Sequence, residues 1–345
     1  MKIKLGSKEL VPTSASVMRT ITGISEFNCV IEWSPGKDKE LDELIRPHSF
    51  ANVEISILGE KIFTGYLYSR TPILSLSGNA LTLGGFSKVY GLVMSNPRVQ
   101  KEFLESSLLD ISNEFCNIFG INVVSDGVDN EINEKFENEK IGAQDKIFAF
   151  LQNLARQRAI LTSDDADGNL LYLIANTKKN SVGSIIEGKG AIVPMTDQFS
   201  ANFDDTDVYQ TYVAVNDSPY SWLLKDAPAI SKDMRIKVPS FKTIVINSLE
   251  EGAGQKAVDL ARNQTIVKSL SMPMHAFTWK APNGKLWREN TIVTVESPTL
   301  FIPDGYSFLI SKVQYNLDSS GGETTDLIIA PPSLYSAGEV SEPWE

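Results

Sequence analysis

Apolar and polar positions alternate in short runs along residues 1–96. Phe27, Cys29, Ile31 and Trp33 alternate with Asn28, Val30 and Glu32, the period-two pattern of a half-buried strand. Val53, Ile55 and Ile57 repeat the pattern, Leu58-Gly59-Glu60 turns the chain, and 62–67 returns as the partner strand. A loop through Pro72 then leads to a strand over 80–83. The charged stretch 37–45 interrupts the strands as a polar or helical excursion, and its alternating signs mark a solvated face.

The period changes near residue 97. Ser107-Leu108-Leu109-Asp110 reads as a capping box, in which hydroxyl and acid each satisfy an orphan backbone amide. Leu108, Ile111, Phe115 and Ile118 recur at helical spacing, and Gly120 stops the helix. A second helix is predicted over 143–158, with Ile147, Phe150, Leu151 and Leu154 on one stripe. A short strand at 122–124 separates the helices. Runs at 159–162 and 170–174 flank Asp164-Asp165-Ala166-Asp167-Gly168-Asn169 as a hairpin, completing a small α/β domain.

From about 178 the strand pattern returns, at 197–204 and 208–215. In the second run Tyr209, Thr211, Val213 and Val215 share one face and Gln210, Tyr212 and Ala214 the other. Residues 235–246 read as extended, and 254–267 as a helix with Ala257, Leu260 and Ala261 inward. The stretch 272–332 is a meander of antiparallel strands, with turns at Asn283-Gly284 and Asp304-Gly305. Within it Val313, Tyr315 and Leu317 oppose Lys312, Gln314 and Asn316. Residues 333–345 form a polar tail with little to bury.

The order strand, strand, polar loop, strand at 51–57, 62–67 and 80–83 recurs at 292–295, 308–315 and 327–329. These read as two copies of one barrel or sheet unit. The expected fold is α+β and mainly β: two tube-like antiparallel β-barrel domains with two small α/β domains inserted or appended. The first barrel spans 1–96 and the first α/β domain 97–177. The second barrel spans 178–216 and 270–335, the inserted α/β domain 217–269, and the tail 336–345.

Composition alters this picture little. At 345 residues the chain exceeds one ordinary core, and 42% hydrophobic with 22% charged residues is a globular balance. A net charge of -11 repels phosphate and argues against tight nucleic-acid binding. Cys29 and Cys116 lie far apart in sequence and read as buried, reduced thiols. The N-terminus lacks the apolar core of a signal peptide, and no apolar run approaches the ~18 residues that cross a bilayer. Cytoplasmic synthesis without a membrane anchor is expected.

Candidate chemistry is sparse. The chain has 2 histidines, His48 and His275, and neither has a second His or Cys at metal-ligand spacing. The acidic run at Asp164 imitates a calcium loop, but Ile174 stands where the bidentate Glu belongs, so an Asp-Gly turn is expected. The glycines and lysine of 183–190 lack phosphate-loop spacing, and no Gly-x-Ser-x-Gly elbow occurs. With 43 acids some carboxylate pair always exists, and no local pattern singles one out. Trp279 and Trp287 flank the Asn-Gly turn, where they could stack on a sugar or fill a core or an interface. No catalytic, cofactor-binding or metal-ligating residue is assigned, and no cofactor is expected.

Several stretches together carry a family resemblance. Trp279 through Trp287, Asn290-Thr291-Ile292-Val293-Thr294-Val295, Tyr306-Ser307-Phe308-Leu309-Ile310-Ser311-Lys312-Val313 and Leu327-Ile328-Ile329-Ala330-Pro331 resemble the C-terminal part of the Mu-type baseplate hub proteins of contractile phage tails. Val53-Glu54-Ile55-Ser56-Ile57 with Phe63-Thr64-Gly65-Tyr66 is similar to the opening of that family. Ile141-Gly142-Ala143-Gln144-Asp145 and Arg158-Ala159-Ile160-Leu161-Thr162-Ser163-Asp164 are similar to its middle. The order of these stretches, over nearly the whole chain, carries the likeness more than any one motif.

The resemblance implies a structural homotrimer whose paired β units form a pseudo-sixfold ring matching a sixfold tail tube. Related proteins include the hub of T-even phages and the corresponding part of type VI secretion spikes. Implied partners are the tail tube protein, a separate central spike protein and other baseplate proteins. DNA is expected to pass through the ring without specific binding, with part of the acidic excess facing it. The implied location is the tail baseplate of a virion or tail-like particle, after synthesis in the host cytoplasm. The family offers no catalytic residues to carry over. The rival readings are a phage-associated glycan hydrolase with two unrecognised carboxylates, and a carbohydrate-binding β protein using Trp279 and Trp287.

Overall fold

The structure, a computed structural model, describes residues 1–75, 78–176, 181–187, 205–216, 229–246, 252–270, 272–276, 278–319 and 322–335. The expected strand at 197–204 and the tail at 336–345 lie outside these residues.

Alternation in the first ninety residues produces β1 (Lys2–Leu5), β2 (Lys8–Leu10), β3 (Pro12–Thr20), β4 (Glu26–Glu32), β5 (Asn52–Ile57), β6 (Glu60–Ser75) and β7 (Gly78–Ser87). The polar excursion is α1 (Lys39–Leu44), capped by the Asp38 carboxylate, which accepts from the Leu41 amide at 3.1 Å. α2 (Tyr90–Met94) leads into β8 (Lys101–Ser107), α3 (Leu108–Ile118), β9 (Val123–Asp126), β10 (Lys135–Ile141), α4 (Ile147–Gln157), β11 (Leu161–Asp164) and β12 (Leu170–Leu173). The capping box starts α3: the Ser107 hydroxyl accepts from the Asp110 amide, and the Asp110 carboxylate from the Ser107 amide, both at 3.1 Å. Then come β13 (Ser184–Ile186), β14 (Thr211–Asn216), β15 (Ile230–Lys232), β16 (Phe241–Ile246) and α5 (Ala253–Leu270). The chain closes with β17 (Met272–Ala276), β18 (Ile292–Ser297), β19 (Ile302–Asp318) and β20 (Gly322–Ala330).

The two expected tube-like barrels are not formed. Strands from both ends of the chain build one 12-stranded sheet in the order β13-β18-β19-β3-β4-β7-β6-β5-β1-β2, with β20 and then β17 on the other edge of β19. The ends of this order do not pair with each other, so no sheet among the described residues closes into a barrel. The cause is β3. It pairs with β4 along one edge and, from Thr20 to Ser14, with Lys312 to Asp318 of β19 along the other. One apolar cluster, running from Ile3 and Leu5 to Leu327 and Ile329, serves strands of both halves. The pairing is also mixed. β13 runs parallel to β18, β12 to β9, and β14 to β16.

The repeated strand order is present inside this single sheet. β4-β7-β6-β5 and β17-β20-β19-β18 pair in the same sequence. The irregularities coincide as well: β6 slips between Leu67 and Ser69 against β7, and β19 between Ile310 and Lys312 against β20. A second pair of slips falls at Ile55/Ser56 and Val295/Ser297. Counted from the first slip, residues 69–75 of β6 match residues 312–318 of β19.

Several local expectations need revision. The loop through Pro72 is strand: β6 continues to Ser75, with Pro72 opposite Leu81 of β7. A proline is tolerated where one strand edge lacks a partner, as it does here. The second helix starts at Ile147, because the Asp145 carboxylate accepts from the Gly142 amide at 2.6 Å and holds a turn in front of it. Phe148 and Ala155 are buried in α4 while Phe150 is half-buried. In α3 the fourth buried apolar position is Cys116, and Ile118 is exposed. Helix α5 buries Val258, Leu260 and Ile266, leaving Ala257 and Ala261 half-buried. Tyr335, in the stretch 333–345 read as having little to bury, is buried against a cluster containing Ile266 and Leu309.

Candidate functional site

The most built polar site lies where the hairpin β11–β12 meets the large sheet. Arg19 occupies the β3 phase of Ala15 and Val17, which points into the core, and is 4% exposed. Its guanidinium spends every arm on a partner. Nε donates to Glu289 Oε1 at 2.6 Å, one Nη to the Ile62 carbonyl at 2.7 Å and the other to the Asp164 carbonyl at 3.1 Å. Burial pulls this cation's pKa down, but the Glu289 and Asp164 charges outweigh burial and the net direction is up.

Asp164 is itself buried. One of its oxygens accepts from the Ser25 amide at 2.7 Å and from the Ser25 hydroxyl at 3.0 Å. Burial pushes its carboxyl up to about 6, against the opposing pull of Arg19 and the serine donors. Around this centre the Ser163 hydroxyl donates to the Thr20 carbonyl and the Gly23 amide to the Thr162 carbonyl at 3.0 Å. The Asn290 side chain accepts from the Asn176 amide at 2.8 Å. The site joins the N-terminal strands, the hairpin and the 288–291 segment. It offers paired buried charges, with one Glu289 oxygen left without a hydrogen-bond partner, rather than a nucleophile with a base.

The residues singled out in the sequence fall elsewhere. The Asp164–Asn169 loop is a structural turn: the Asp165 carboxylate accepts from the Asp167 and Asn169 amides at 2.9 and 2.8 Å. Its tip packs on the large sheet, where Thr64 donates to the Ala166 carbonyl at 2.8 Å and Lys61 pairs with Asp167. Gly168 has φ +77, and a Cβ there would stand 2.6 Å from the Thr64 carbonyl oxygen, so only glycine fits. His48 is exposed, with φ 67. His275 is half-buried on β17, 2.6 Å from Asp326. Among the described residues no His, Cys, Asp and Glu gather as a metal-binding group.

Trp279 and Trp287 are 1% and 0% exposed. The hairpin they flank is held by a 3.0 Å bond from the Trp287 amide to the Trp279 carbonyl. Trp279 Nε1 donates to the Asn316 carbonyl at 2.9 Å, and the Tyr315 hydroxyl to the Trp287 carbonyl. Neither ring is offered to a sugar. Gly183 packs on Pro282 beside β13, while 188–190 lie outside the described residues. Cys29 and Cys116 are free and buried, and burial pushes both thiols up to about 12, which makes them unreactive. A cleft of about 420 Å³ separates α4 from α5 and is lined by Glu139, Lys146, Phe150, Arg156, Ala257 and Leu260, among others. It mixes charges of both signs with apolar side chains and contains no nucleophile with a base.

Sequence reasoning missed Arg19. Its signal was an arginine in phase with Ala15, Val17 and Ile21 on an alternating strand, a position that demands a buried counter-charge.

The site is thus a buried polar centre within a large mixed sheet. Two family profiles match the chain in order: the second domain of the gp44-like baseplate hub proteins at residues 94–173, and the fourth domain of the Mu phage baseplate assembly protein GpP at residues 251–337. The baseplate hub protein gp44 of Escherichia phage Mu is 22% identical over 328 residues, covering 92% of this chain and 84% of that protein. The 43 kDa tail protein of prophage MuSo2 from Shewanella oneidensis superposes with a TM-score of 0.79 at 21% identity, over 96% of this chain and 98% of that one. The tail protein from Neisseria meningitidis MC58 gives 0.80 at 18% identity, over 97% of each chain. Over nearly its whole length the chain is similar to the Mu-type phage baseplate hub proteins. These relatives are tail and baseplate proteins.

Proposed function

We propose that three copies of this chain form a ring in the tail baseplate that joins the tail tube protein to a central spike protein. The observation that carries this reading is the doubled strand unit, matched in pairing order and in both slips. Three chains with two matched units each present six equivalent elements, which suits a sixfold tube on one side and a threefold spike on the other. Other baseplate proteins then attach around the ring, and the particle's tail is where the protein resides.

DNA passes through this ring without specific binding. On the face of the large sheet away from the core, Ser14, Ser16, Asn28, Thr82, Gln314 and Asn316 supply short uncharged groups. Such a face gives phosphates no positive row to hold. The same face carries Glu26, Glu32 and Asp326, in keeping with part of the acidic excess facing the channel. Electron-microscopic class averages of the chain mixed with its tube and spike proteins test the reading. Threefold rings seated between tube and spike are expected, and a different order of symmetry, or no co-assembly, contradicts it.

A further inference from the structure

The two matched strand units are not finished alike. On β19, one edge is covered by β18 as far as Leu309 and then by β3 along 312–318. On β6, the corresponding edge is covered by β5 as far as Tyr66, and the Leu67 amide donates to the Ala51 carbonyl at 2.9 Å. Beyond the slip, no described strand covers this edge along residues 71–74, and all four are exposed. Ile73 is 47% exposed and Leu74 86%. Leu74 holds the position that Leu317 holds on β19. There Leu317 packs on the main core, opposite Ala15 of β3. A missing neighbour therefore accounts for the exposure of Leu74.

A second edge is unfinished in the matching way. β17 corresponds to β4: Met274 faces Leu327 as Cys29 faces Leu83. The outer edge of β4 is covered by β3, while no described strand covers that of β17. The segment before β4 is a strand, and the one before β17 is the helix α5. Within the chain β3 spans the gap between β4 and β19. The equivalent gap, between β17 and β6, has its two sides in different halves of the sheet. A head-to-tail contact between copies sets them on the two sides of one such gap, about a strand's width apart.

We propose that residues 71–74 of β6 are the contact surface for a second copy of this chain, which approaches with its β17 side. This rests on the ring reading above and assigns the seam of that ring. Pro72 and Pro273 each leave their strand one backbone donor short, which disfavours arbitrary strand addition. Ile73 and Leu74 supply apolar contact in its place.

Native mass spectrometry of the full chain, wild type and the Ile73→Glu/Leu74→Glu variant, tests the seam, with circular dichroism as the check on folding. The wild type is expected as a trimer and the folded variant as a monomer. In parallel, a Leu74→Cys/Pro273→Cys variant is treated with a bifunctional maleimide. Covalent dimers and trimers are expected, with none from either single variant, because Cys29 and Cys116 are buried. A trimeric wild type whose charged variant stays trimeric overturns the seam and leaves the ring. Equal cross-linking in a single-cysteine variant indicates a symmetric contact and likewise overturns it. A monomeric wild type overturns ring and seam together.

Discussion

At the scale of single residues, the arrangement around Arg19 sets the pH response. Arg19→Leu removes the cation from a buried pair and leaves Glu289 without its partner, so a loss of about 3–5 kcal/mol in urea denaturation is expected. Asp164 acts in the opposite sense. Its folded carboxyl is raised from 3.8 to about 6, so its contribution is fully present below pH 3.8 and is lost as pH rises through about 6. Across that window the wild type should lose on the order of 3 kcal/mol relative to Asp164→Asn. Parallel stability curves for the two proteins would contradict this. The tryptophans give a third check. With both rings buried, oligosaccharides should leave the intrinsic fluorescence unchanged, and saturable quenching would revive the sugar-binding reading. The exposed place of His48, in a connection after Pro47, was legible in the sequence. Arg19 carried a signal too, but its partners lie in three distant segments that no local pattern connects.

At the scale of elements, local chemistry was largely readable. The Ser107–Asp110 capping box, the Asp-Gly turn and the alternation of β4 all follow from side-chain physics acting over a few residues. Ser107→Ala should cost about 1 kcal/mol and raise hydrogen exchange in the first turn of α3, and unchanged exchange there would count against the cap. Pro72 misled because proline punctuates most strands, and the open edge that tolerates it is a tertiary fact. Two glycines show the same limit. Added Cβ atoms at Gly65 and Gly85 would stand 2.1 Å from the Phe86 carbonyl oxygen and 2.0 Å from that of Tyr66. They would also crowd Phe63 and Phe27, whose rings meet edge-on at 5.3 Å. Gly85→Ala is therefore expected to destabilise by about 1–3 kcal/mol in thermal unfolding, through overpacking.

At the scale of the whole molecule, the sequence carried the order of strands but not their partners. Alternation says that β3 is half-buried; it does not say that β19, at the other end of the chain, lies beside it. Two separate barrels were the natural expectation from two similar runs, and a single pairing across the chain replaces them with one open sheet. The matched slips of β6 and β19 survive that correction and support six equivalent elements in a threefold ring. Light scattering on the purified chain over a wide concentration range tests this most directly. The expected mass is three times 38.0 kDa, reached without a stable dimer. A mass that stays at 38.0 kDa, or that settles at an even-numbered assembly, would contradict it.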